Sequence, residues 1–380
     1  MNDFMFSIPQ TIQFGKGSIQ SLPECIRKLG GEKILLISDR GLERAGAVDR
    51  VKNILDKEGL PHCEFLDVLP NPTIETVNEA VVAFTESKAD VIVALGGGSP
   101  MDVAKAVAVL VKHGGSITDY EGAHKVPGKI IPMIAIPTTA GTGSEVTAFA
   151  VITDTSRNYK LTVFSYELIP TYALLDLELI VSLPATIASS TGMDALTHAI
   201  EAYLSKAASP FSDAMAEKAM QLIGRNIRRF VADRSDEEAA GNMMMASTFA
   251  GIAFAWARLG NVHAMAHPLG GFYNVPHGIA NAILLPHVLE YNALSDLGKY
   301  EKMYHSLKGK RVEAFDPMML VSEIRKMLQD LGIPENLSMV GVTKEYISEM
   351  AEDAMKSGNI AVNPRQSTKQ DLEVLYQKAL

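Results

Sequence analysis

The stretch of sequence that decides the fold runs from Val91 to Asp102 and reads VIVALGGGSPMD. Five apolar residues lead into three glycines, and Ser99 and Pro100 suit the N-cap and first position of a helix. Glycines let a ligand approach the backbone, and the amides of a helix N-terminus attract anions. The stretch predicts a buried strand, a turn and a helix, with either a pyrophosphate site or an ordinary tight turn between them. It lacks the Walker lysine, so ATP chemistry has no support.

Apolar runs of strand length flank this stretch at Lys33–Ser38, Cys63–Val68 and Met133–Ile136, and helical patterns lie between them at Gly41–Lys57 and Asn78–Ser87. Apolar strands separated by helices predict a parallel sheet covered on both faces. Beyond Leu183, long segments rich in Ala, Met, Leu and Glu predict only helices. We therefore expect a Rossmann-like α/β domain over residues 1–180 and an all-helical domain over residues 181–380.

The composition of the 380-residue chain, with 47% hydrophobic and 21% charged residues, is that of a globular protein. A net charge of −9 disfavours a nucleic-acid partner, because phosphate binding needs a positive surface. The two cysteines, Cys25 and Cys63, exclude a disulfide framework and fit a cytoplasmic location. The best membrane candidate, Met243–Ala257, is shorter than the ~20 residues that span a bilayer, which favours a buried helix.

Two more predicted strands end in polar residues. Asp39 follows the run that begins at Lys33, and the strand at Ile136 continues into the small hydroxyl-bearing residues up to Ser144. The Asp39 carboxylate could accept hydrogen bonds from a ribose 2′-hydroxyl and repel a 2′-phosphate, or it could simply cap the next turn. Three such strand ends in one domain favour a dinucleotide site.

The histidines cluster in the second half of the chain. His263, His267 and His277 fall within 15 residues, and Asp194 and His198 are four apart on one helical face. A single histidine in apolar surroundings is usually a core residue, but several of them beside a carboxylate favour a metal. One carboxylate with imidazoles suits Fe(II) or Zn(II), in a catalytic site where the ion polarises a substrate oxygen.

The sequence predicts one helix start and one helix end near these residues. The hydroxyl residues Ser189–Thr191 predict a helix start, and Pro268 predicts the end of the helix that carries His263 and His267. The spacing of these two histidines does not separate a metal ligand from a neighbour.

At this point the chain resembles a known family, the iron-containing (group III) alcohol dehydrogenases, which have the dehydroquinate synthase/glycerol dehydrogenase-like fold. The resemblance covers nearly the whole chain. It rests on Phe14-Gly-Lys-Gly, GGGSPMD and PTTAGTGSEVT in the first half, and on TGMDALTHAIEAY (Thr191–Tyr203) and the stretch Gly260–Ala282 in the second.

The resemblance implies an NAD-dependent, metal-activated alcohol dehydrogenase that interconverts small primary alcohols or diols and aldehydes, with Fe(2+) or Zn(2+) as the metal. It assigns His267 as a non-ligand catalytic histidine that relays protons or contacts substrate. The metal ligands that it implies are Asp194, His198, His263 and His277. The cofactor-binding residues that it implies are Asp39, Asn71, Gly97, Gly98, Ser99, Asp102, Thr138, Thr139 and Lys160.

The alternative on the same fold is a lyase of the dehydroquinate synthase type, which uses NAD and zinc. Its substrate carries phosphate and carboxylate groups, and the stretch from Leu259 to Leu289 contains no Lys or Arg to bind them. An iron oxygenase or a metal-storage protein would have no use for the glycine-rich loop. The residues therefore favour the dehydrogenase.

Two features bear on substrate and assembly. Phe254, Trp256 and Arg258 precede the metal histidines, where many relatives carry small or amide residues at the last two positions; they either line the substrate entrance or fill a helix interface. The stretch Phe6–Phe14 predicts a strand that needs a partner, and the resemblance suggests pairing across a dimer. We expect a homo-oligomer built on dimers.

Overall fold

The computed structural model describes residues 4–157 and 159–380, which form two compact units. The α/β unit comprises Ser7–Thr139 and Gly143–Ser182, and the helical unit comprises Ala140–Thr142, Leu183–Leu380 and residues 4–6. The predicted boundary between residues 180 and 181 instead assigns residues 4–6 and Ala140–Thr142 to the α/β domain. Ala140–Thr142 belongs to the helical unit because Gly141 packs against Thr191.

Nine strands lie in the described part of the α/β unit. They are β1 (Thr11–Phe14), β2 (Ile34–Ile37), β3 (His62–Phe65), β4 (Val91–Gly96), β5 (Gly122–Ala123), β6 (Met133–Pro137), β7 (Phe149–Asp154), β8 (Tyr159–Phe164) and β9 (Tyr172–Leu175). Six strands form a sheet in the order β1-β9-β6-β4-β2-β3, in which all neighbours are parallel. In the second sheet, of order β5-β8-β7, the β7–β8 pair is antiparallel.

Helices cover both faces of the parallel sheet. They are α1 (Leu22–Lys28), α2 (Arg40–Arg44), α3 (Ala47–Lys57), α4 (Ile74–Ser87) and α5 (Gly98–His113). Side chains alternate between the faces along each strand, so that Leu35 and Ile92 pack in the core with α4 and α5, while Leu36 and Val93 pack with α1 and α3. The predicted parallel sheet is confirmed. The helical pattern Gly41–Lys57 forms two helices, α2 and α3, rather than one.

The glycine-rich turn differs in one detail from the prediction. The N-cap of α5 is Gly97 and the helix begins at Gly98, so Ser99 is not the N-cap and Pro100 is not the first helical residue. The chain reverses at Gly96, whose φ of 152° lies where side chains are disfavoured. Because the turn is complete at Gly97, the helix forms two residues earlier than the capping signal indicates.

The described part of the helical unit contains no strand, as predicted. Its helices are α6 (Ala185–Leu204), α7 (Pro210–Ala232), α8 (Glu237–Ala257), α9 (Asn261–Tyr273), α10 (His277–Asn292), α11 (Lys299–Lys308), α12 (Pro317–Asp330), α13 (Ile347–Met355) and α14 (Lys369–Ala379). The apolar segment Met243–Ala257 lies in α8, which is buried along most of its length. Among the described residues, none of the helices has the length and apolar character needed to cross a membrane.

Two predicted helix limits in this unit are wrong. Helix α6 begins at Ala185, and the hydroxyls of Ser189, Ser190 and Thr191 donate to carbonyls of the preceding turn instead of capping a start. Helix α9 continues through Pro268 to Tyr273. A proline removes one hydrogen bond from a helix, and burial of this helix in the core compensates for that loss.

The N-terminal strand is also shorter than predicted. Only Thr11–Phe14 of the stretch Phe6–Phe14 is extended, and it pairs in parallel with β9 of the same chain. The strand therefore finds a partner within the chain on one side and forms the edge of the sheet on the other.

Candidate active site

One face of α6 carries three ionisable side chains that are almost fully buried. Asp194, His198 and Glu201 follow at spacings of four and three, so they project from the same side of the helix. Helix α6 has apolar residues on its other sides as well, which explains why nearly all of it is buried.

Two more histidines come from the starts of neighbouring helices. His263 lies in the first turn of α9, and His277 is the first residue of α10, directly after Pro276. Helix α10 lies so close to α6 that a side chain on Gly278 would collide with the Ser190 carbonyl group. This backbone contact fixes the position of His277 relative to Asp194.

The three imidazoles converge on a single oxygen atom. The Nε2 atoms of His198, His263 and His277 lie 4.0, 3.8 and 3.8 Å from Asp194 Oδ1. These distances are too long for hydrogen bonds, but two metal–ligand bonds of about 2.0–2.2 Å span them. Ligand atoms of Asp194, His263 and His277 all lie within 4.8 Å of one another, and the His198 ring stacks on the His263 ring at 4.6 Å. Asp194, His263 and His277 therefore fit one divalent ion, and His198 Nε2 lies 4.0 Å from the same oxygen of Asp194.

The electrostatics of the cluster also suit a cation. Burial raises the pKa of Asp194, and burial lowers the pKa values of His198 and His263. Both imidazoles are therefore neutral at pH 7, which is the form that binds a metal. Across residues 4–157 and 159–380, the basic side chains within 4.0 Å of the Asp194 carboxylate are His198, His263 and His277, and none is a lysine or arginine.

Sequence reasoning missed two residues that surround the cluster. The Asn281 amide nitrogen lies 2.7 Å from Asp194 Oδ1 and about equally close to His263 and His277, while its buried Oδ1 has no hydrogen-bond partner. Glu201 bonds to His263 Nδ1 at 2.6 Å, and burial raises the pKa of Glu201 to about 7. The signal for Glu201 is its spacing of seven residues from Asp194 on the same helical face.

The other predicted residues of this half lie around the cluster. The His267 ring stacks on that of His277 at 5.3 Å and is 6.5 Å from that of His263. The Phe254 ring stacks on His198 at 4.4 Å. Trp256 packs against Phe6, and Arg258 ends α8 with a φ of 64° and its guanidinium over Gly358.

In the α/β unit, several of the predicted cofactor residues lie at the carboxyl ends of the adjacent strands β6, β4 and β2. A Cβ atom on Gly97, after β4, would touch the Thr139 side chain, and the Thr138 N–H donates to the Gly96 carbonyl at 3.0 Å. Gly98 and Ser99 form the first turn of α5, whose free amides suit a phosphate. The bare backbone at Gly97 fits the close approach of a pyrophosphate.

Asp39 lies at the end of β2, next to β4 in the sheet. Its Oδ1 accepts the Leu42 N–H at 2.9 Å as the N-cap of α2, so the capping alternative describes what this oxygen does. The side chain remains partly exposed. A carboxylate has further acceptor positions, so the cap does not exclude ribose binding.

Asp102 belongs to a polar cluster that includes Lys105, which sequence reasoning also missed. The Lys105 ammonium is fully buried and donates to Ser144 Oγ at 2.9 Å, and this hydroxyl donates to Asp102 at 3.1 Å. Burial raises the pKa of Asp102 to about 6 and lowers the pKa of Lys105 to about 8, against their mutual attraction. The signal for Lys105 is a charge inside the apolar run that follows the glycines.

Asn71 and Lys160 are brought together although 89 residues separate them. Lys160 Nζ donates to Asn71 Oδ1 at 2.7 Å, and Asn71 has a φ of 55°. Burial lowers the pKa of Lys160 to about 8. The pair places a cation and an amide next to each other in the α/β unit.

A parallel sheet with a glycine turn suits an enzyme that binds a dinucleotide, and a buried carboxylate–imidazole cluster suits one that binds a divalent metal. Residues 9–177 match the family model of the iron-containing alcohol dehydrogenases, and residues 188–380 match the C-terminal model of the same family. The 1,3-propanediol dehydrogenase of Klebsiella pneumoniae is 39% identical over 382 residues, which cover 99% of this chain and 98% of the relative.

Two further comparisons agree. The NAD-dependent methanol dehydrogenase of Bacillus methanolicus is 36% identical over 379 residues, 99% of each chain. A crystal structure of a 1,3-propanediol oxidoreductase superposes with a TM-score of 0.96 at 39% identity, over 100% of both chains. The chain belongs to the iron-containing alcohol dehydrogenase family, and it is an oxidoreductase that interconverts alcohols and aldehydes.

Proposed function

We propose that the chain uses NAD and one divalent metal ion, bound by Asp194, His198, His263 and His277, to interconvert small primary alcohols or diols and aldehydes. The observation that carries this proposal is the convergence of three Nε2 atoms on Oδ1 of the buried Asp194, at 3.8–4.0 Å. We propose iron as the metal, following the family, with zinc as the alternative that the ligand set also suits.

The roles of the chain's own residues follow from their chemistry. A bound ion would supply Lewis-acid polarisation of the substrate oxygen, and NAD would supply the hydride acceptor or donor. Asp194 contributes the negative charge of the ligand set, and the histidines contribute neutral lone pairs. His267, whose ring stacks on that of His277, is proposed to relay the alcohol proton or to contact the substrate.

For the cofactor, we propose that residues 1–180 form the NAD-binding domain and residues 181–380 the catalytic one. The first turn of α5 with Gly97, Gly98 and Ser99 would bind the pyrophosphate, and Asp39 would bind the adenosine ribose. The other residues assigned to the dinucleotide are Asn71, Asp102, Thr138, Thr139 and Lys160. NAD is preferred over NADP in this proposal because Asp39 would repel a 2′-phosphate.

The substrate and the setting of the enzyme are proposed more broadly. Relatives named for 1,3-propanediol and methanol support a small alcohol or diol. Phe254, stacked on His198, and Trp256 and Arg258 near it in sequence are proposed to shape the substrate pocket. We further propose a cytoplasmic enzyme that forms a homo-oligomer built on dimers; the exposed side chain of Phe14 on edge strand β1 is the feature that supports an interface.

The test is reconstitution of the metal-free protein with Fe(2+) or Zn(2+) and assay against a panel of alcohols and aldehydes with NADH and NADPH. Metal removal should abolish hydride transfer and leave NAD binding largely intact. His263→Ala and His277→Ala should each lower metal occupancy, whereas His267→Ala should keep the metal and lose rate or change its pH dependence. Equal metal loss in all three variants would contradict the division of roles, and full activity of the chelated protein would contradict the metal itself.

A further inference from the structure

We infer that Glu201 is the positioning residue of the metal site: its carboxylate holds the His263 imidazole in the tautomer whose Nε2 lone pair faces Asp194. The inference rests on the proposed function, because it presumes that His263 binds the metal. Glu201 itself is not one of the proposed ligands. It lies in the TGMDALTHAIEAY motif, in which only Asp194 and His198 have received a role.

The first observation is the contact between the two side chains. His263 Nδ1 lies 2.6 Å from Glu201 Oε2, and both side chains are buried. When it is ionised, the Glu201 carboxylate can only accept a hydrogen bond, so Nδ1 is then the nitrogen that carries the proton. The other ring nitrogen, Nε2, is then an unprotonated acceptor, which is the state that a metal ligand needs.

The second observation comes from the opposite edge of the same ring. His263 Nε2 lies 3.0 Å from the amide nitrogen of Asn281, which is a donor. The Asn281 amide has two hydrogens for three nearby acceptors, Asp194 Oδ1 and the Nε2 atoms of His263 and His277, and a bond to His263 would use the Nε2 lone pair of the same tautomer. Asp194 Oδ1 lies 3.8 Å from His263 Nε2. A lone pair on Nε2 therefore faces a carboxylate oxygen, and a cation between the two atoms would remove their repulsion.

Glu201 also fixes the backbone that carries His263. Its Oε1 accepts the Val262 N–H at 2.7 Å, and its Oε2 accepts the His263 N–H at 3.4 Å. These are free amides of the first turn of α9, where a carboxylate is favoured by the helix dipole. One side chain of α6 therefore caps α9 and orients its ligand, so the start of α9 and the imidazole are set together.

A comparison within the cluster shows what the charge adds. His198 is oriented by a neutral acceptor, the Gly141 carbonyl, at 3.3 Å from its Nδ1. His263 is oriented by a carboxylate at 2.6 Å. Charge-assisted hydrogen bonds are shorter and roughly twice as strong as neutral ones, and they raise the basicity of the ligand nitrogen. Loss of the charge at Glu201 is therefore expected to weaken metal binding through His263.

The test compares Glu201→Gln with the wild-type protein and with Glu323→Gln, using Zn²⁺ as the probe metal in competition with a chelator. Gln keeps the size of the side chain and an acceptor for the Val262 N–H, and Glu323 is a buried acid of α12 whose hydrogen-bond partners are Arg228 and Lys308. We expect Glu201→Gln to bind Zn²⁺ about 10–100-fold more weakly, and Glu323→Gln to bind it as the wild type does.

The outcomes separate this inference from the function on which it rests. Wild-type affinity in Glu201→Gln, with the wild-type protein binding Zn²⁺ normally, overturns the role of Glu201 alone. Failure of the wild-type protein to bind Zn²⁺ or Fe²⁺ overturns the metal site as a whole.

A second measurement determines the His263 tautomer directly in the wild-type protein. In metal-free wild-type protein labelled with ¹⁵N-histidine, NMR should find the proton of His263 on Nδ1, with His263→Gln used to assign the signal. A proton on Nε2 would overturn the inference. If Glu201 only caps α9, the His263 tautomer should be the same in Glu201→Gln as in the wild-type protein.

Discussion

Each unit contains a carboxylate whose pKa is raised by burial, and the two units stabilise that carboxylate in different ways. In the α/β unit, Asp102 is linked through the Ser144 hydroxyl to the buried ammonium of Lys105. In the helical unit, Asp194 lies beside His198 and His263, whose pKa values are lowered by burial, and within the described residues no lysine or arginine lies within 4.0 Å of it. The first carboxylate has its positive charge built into the chain, and the second does not.

This difference favours the helical unit as the one that would hold an external cation. A buried charge is tolerated only when it is paired or coordinates a metal. Asp102 meets that condition with Lys105, so its cluster is complete as the chain folds. Asp194 meets it only in part through the amide of Asn281. The contrast predicts that the helical unit depends on metal for stability and activity, whereas the α/β unit does not.

The largest effect should come from removing the acid that lacks a lysine. Asp194→Asn keeps the shape of the side chain and removes the charge that the ion would neutralise. Lewis-acid stabilisation supplies several kcal/mol, and each 1.36 kcal/mol is tenfold in rate, so kcat/KM should fall by about 10³-fold or more. Metal content after reconstitution and steady-state kinetics measure this, with Asp213→Asn, a partly exposed acid of α7, as the control. Full metal occupancy in Asp194→Asn would contradict the idea that the Asp194 charge needs an external cation.

Removing the internal cation of the other unit should affect stability rather than metal content. Lys105→Met leaves Asp102 without its positive partner and leaves the Phe149 carbonyl without the donor that it has at 2.8 Å. Breaking a buried pair costs about 3–5 kcal/mol, and we expect about 3 because Asp102 is only partly buried. Urea unfolding measures the change. Lys112→Met, at an exposed position of the same helix, should stay within about 0.5 kcal/mol, and an equally small change in Lys105→Met would argue against the pairing.

The same lysine predicts how stability depends on pH. Burial lowers the pKa of Lys105 from 10.5 to about 8, so between these values the unfolded chain binds more protons than the folded one. The free energy of unfolding contributed by this group therefore rises as the pH rises from about 8 to 10.5. Unfolding experiments across this range should show the rise in the wild type and a smaller one in Lys105→Met. Parallel curves for both proteins would mean that Lys105 titrates normally.

Asp39 extends the comparison to a carboxylate that is neither fully buried nor paired. If it binds the cofactor ribose, like charge should make NADH better than NADPH by about 100-fold in kcat/KM, and Asp39→Gly should reduce this ratio sharply. Asp39→Ser separates the two roles, because serine retains an N-cap acceptor for Leu42 and lacks the charge. We expect the serine variant to lose the cofactor preference as well. If Asp39→Ser keeps the wild-type ratio of kcat/KM for NADH over NADPH, Asp39 acts only as a helix N-cap.

The smallest effect concerns the amide that accompanies Asp194. Asn281→Leu removes the donor at 2.7 Å from Asp194 Oδ1, and an unsatisfied buried acceptor costs about 1–3 kcal/mol. The loss should be larger in the metal-free protein than in the loaded one, because a bound ion neutralises the same oxygen. Thermal unfolding with and without Zn²⁺ measures the difference. Asn226→Leu, a buried asparagine of α7, should be destabilised equally in both states.

Local patterns predicted the sheet and the grouping of the histidines, because both depend on short-range signals. Apolar runs such as Val91–Gly96 gave the strands, and the spacing of Asp194 and His198 gave one face of α6. Pro268 misled because a proline signal is local, whereas the burial that sustains α9 comes from distant segments. Lys105 and Glu201 were missed because their partners, Ser144 and His263, lie 39 and 62 residues away.

The contact of Gly278 with α6 limits how this enzyme can evolve. Any larger residue at 278 would push α10 off the Ser190 carbonyl and carry His277 away from Asp194 with it. A single substitution at 278 would therefore disrupt the metal site unless a second change relieved the contact with Ser190, and two simultaneous changes are rare. A mutational library that explores new substrates should leave position 278 fixed and place its diversity at Trp256 and Arg258, which lie outside the contact between Gly278 and α6.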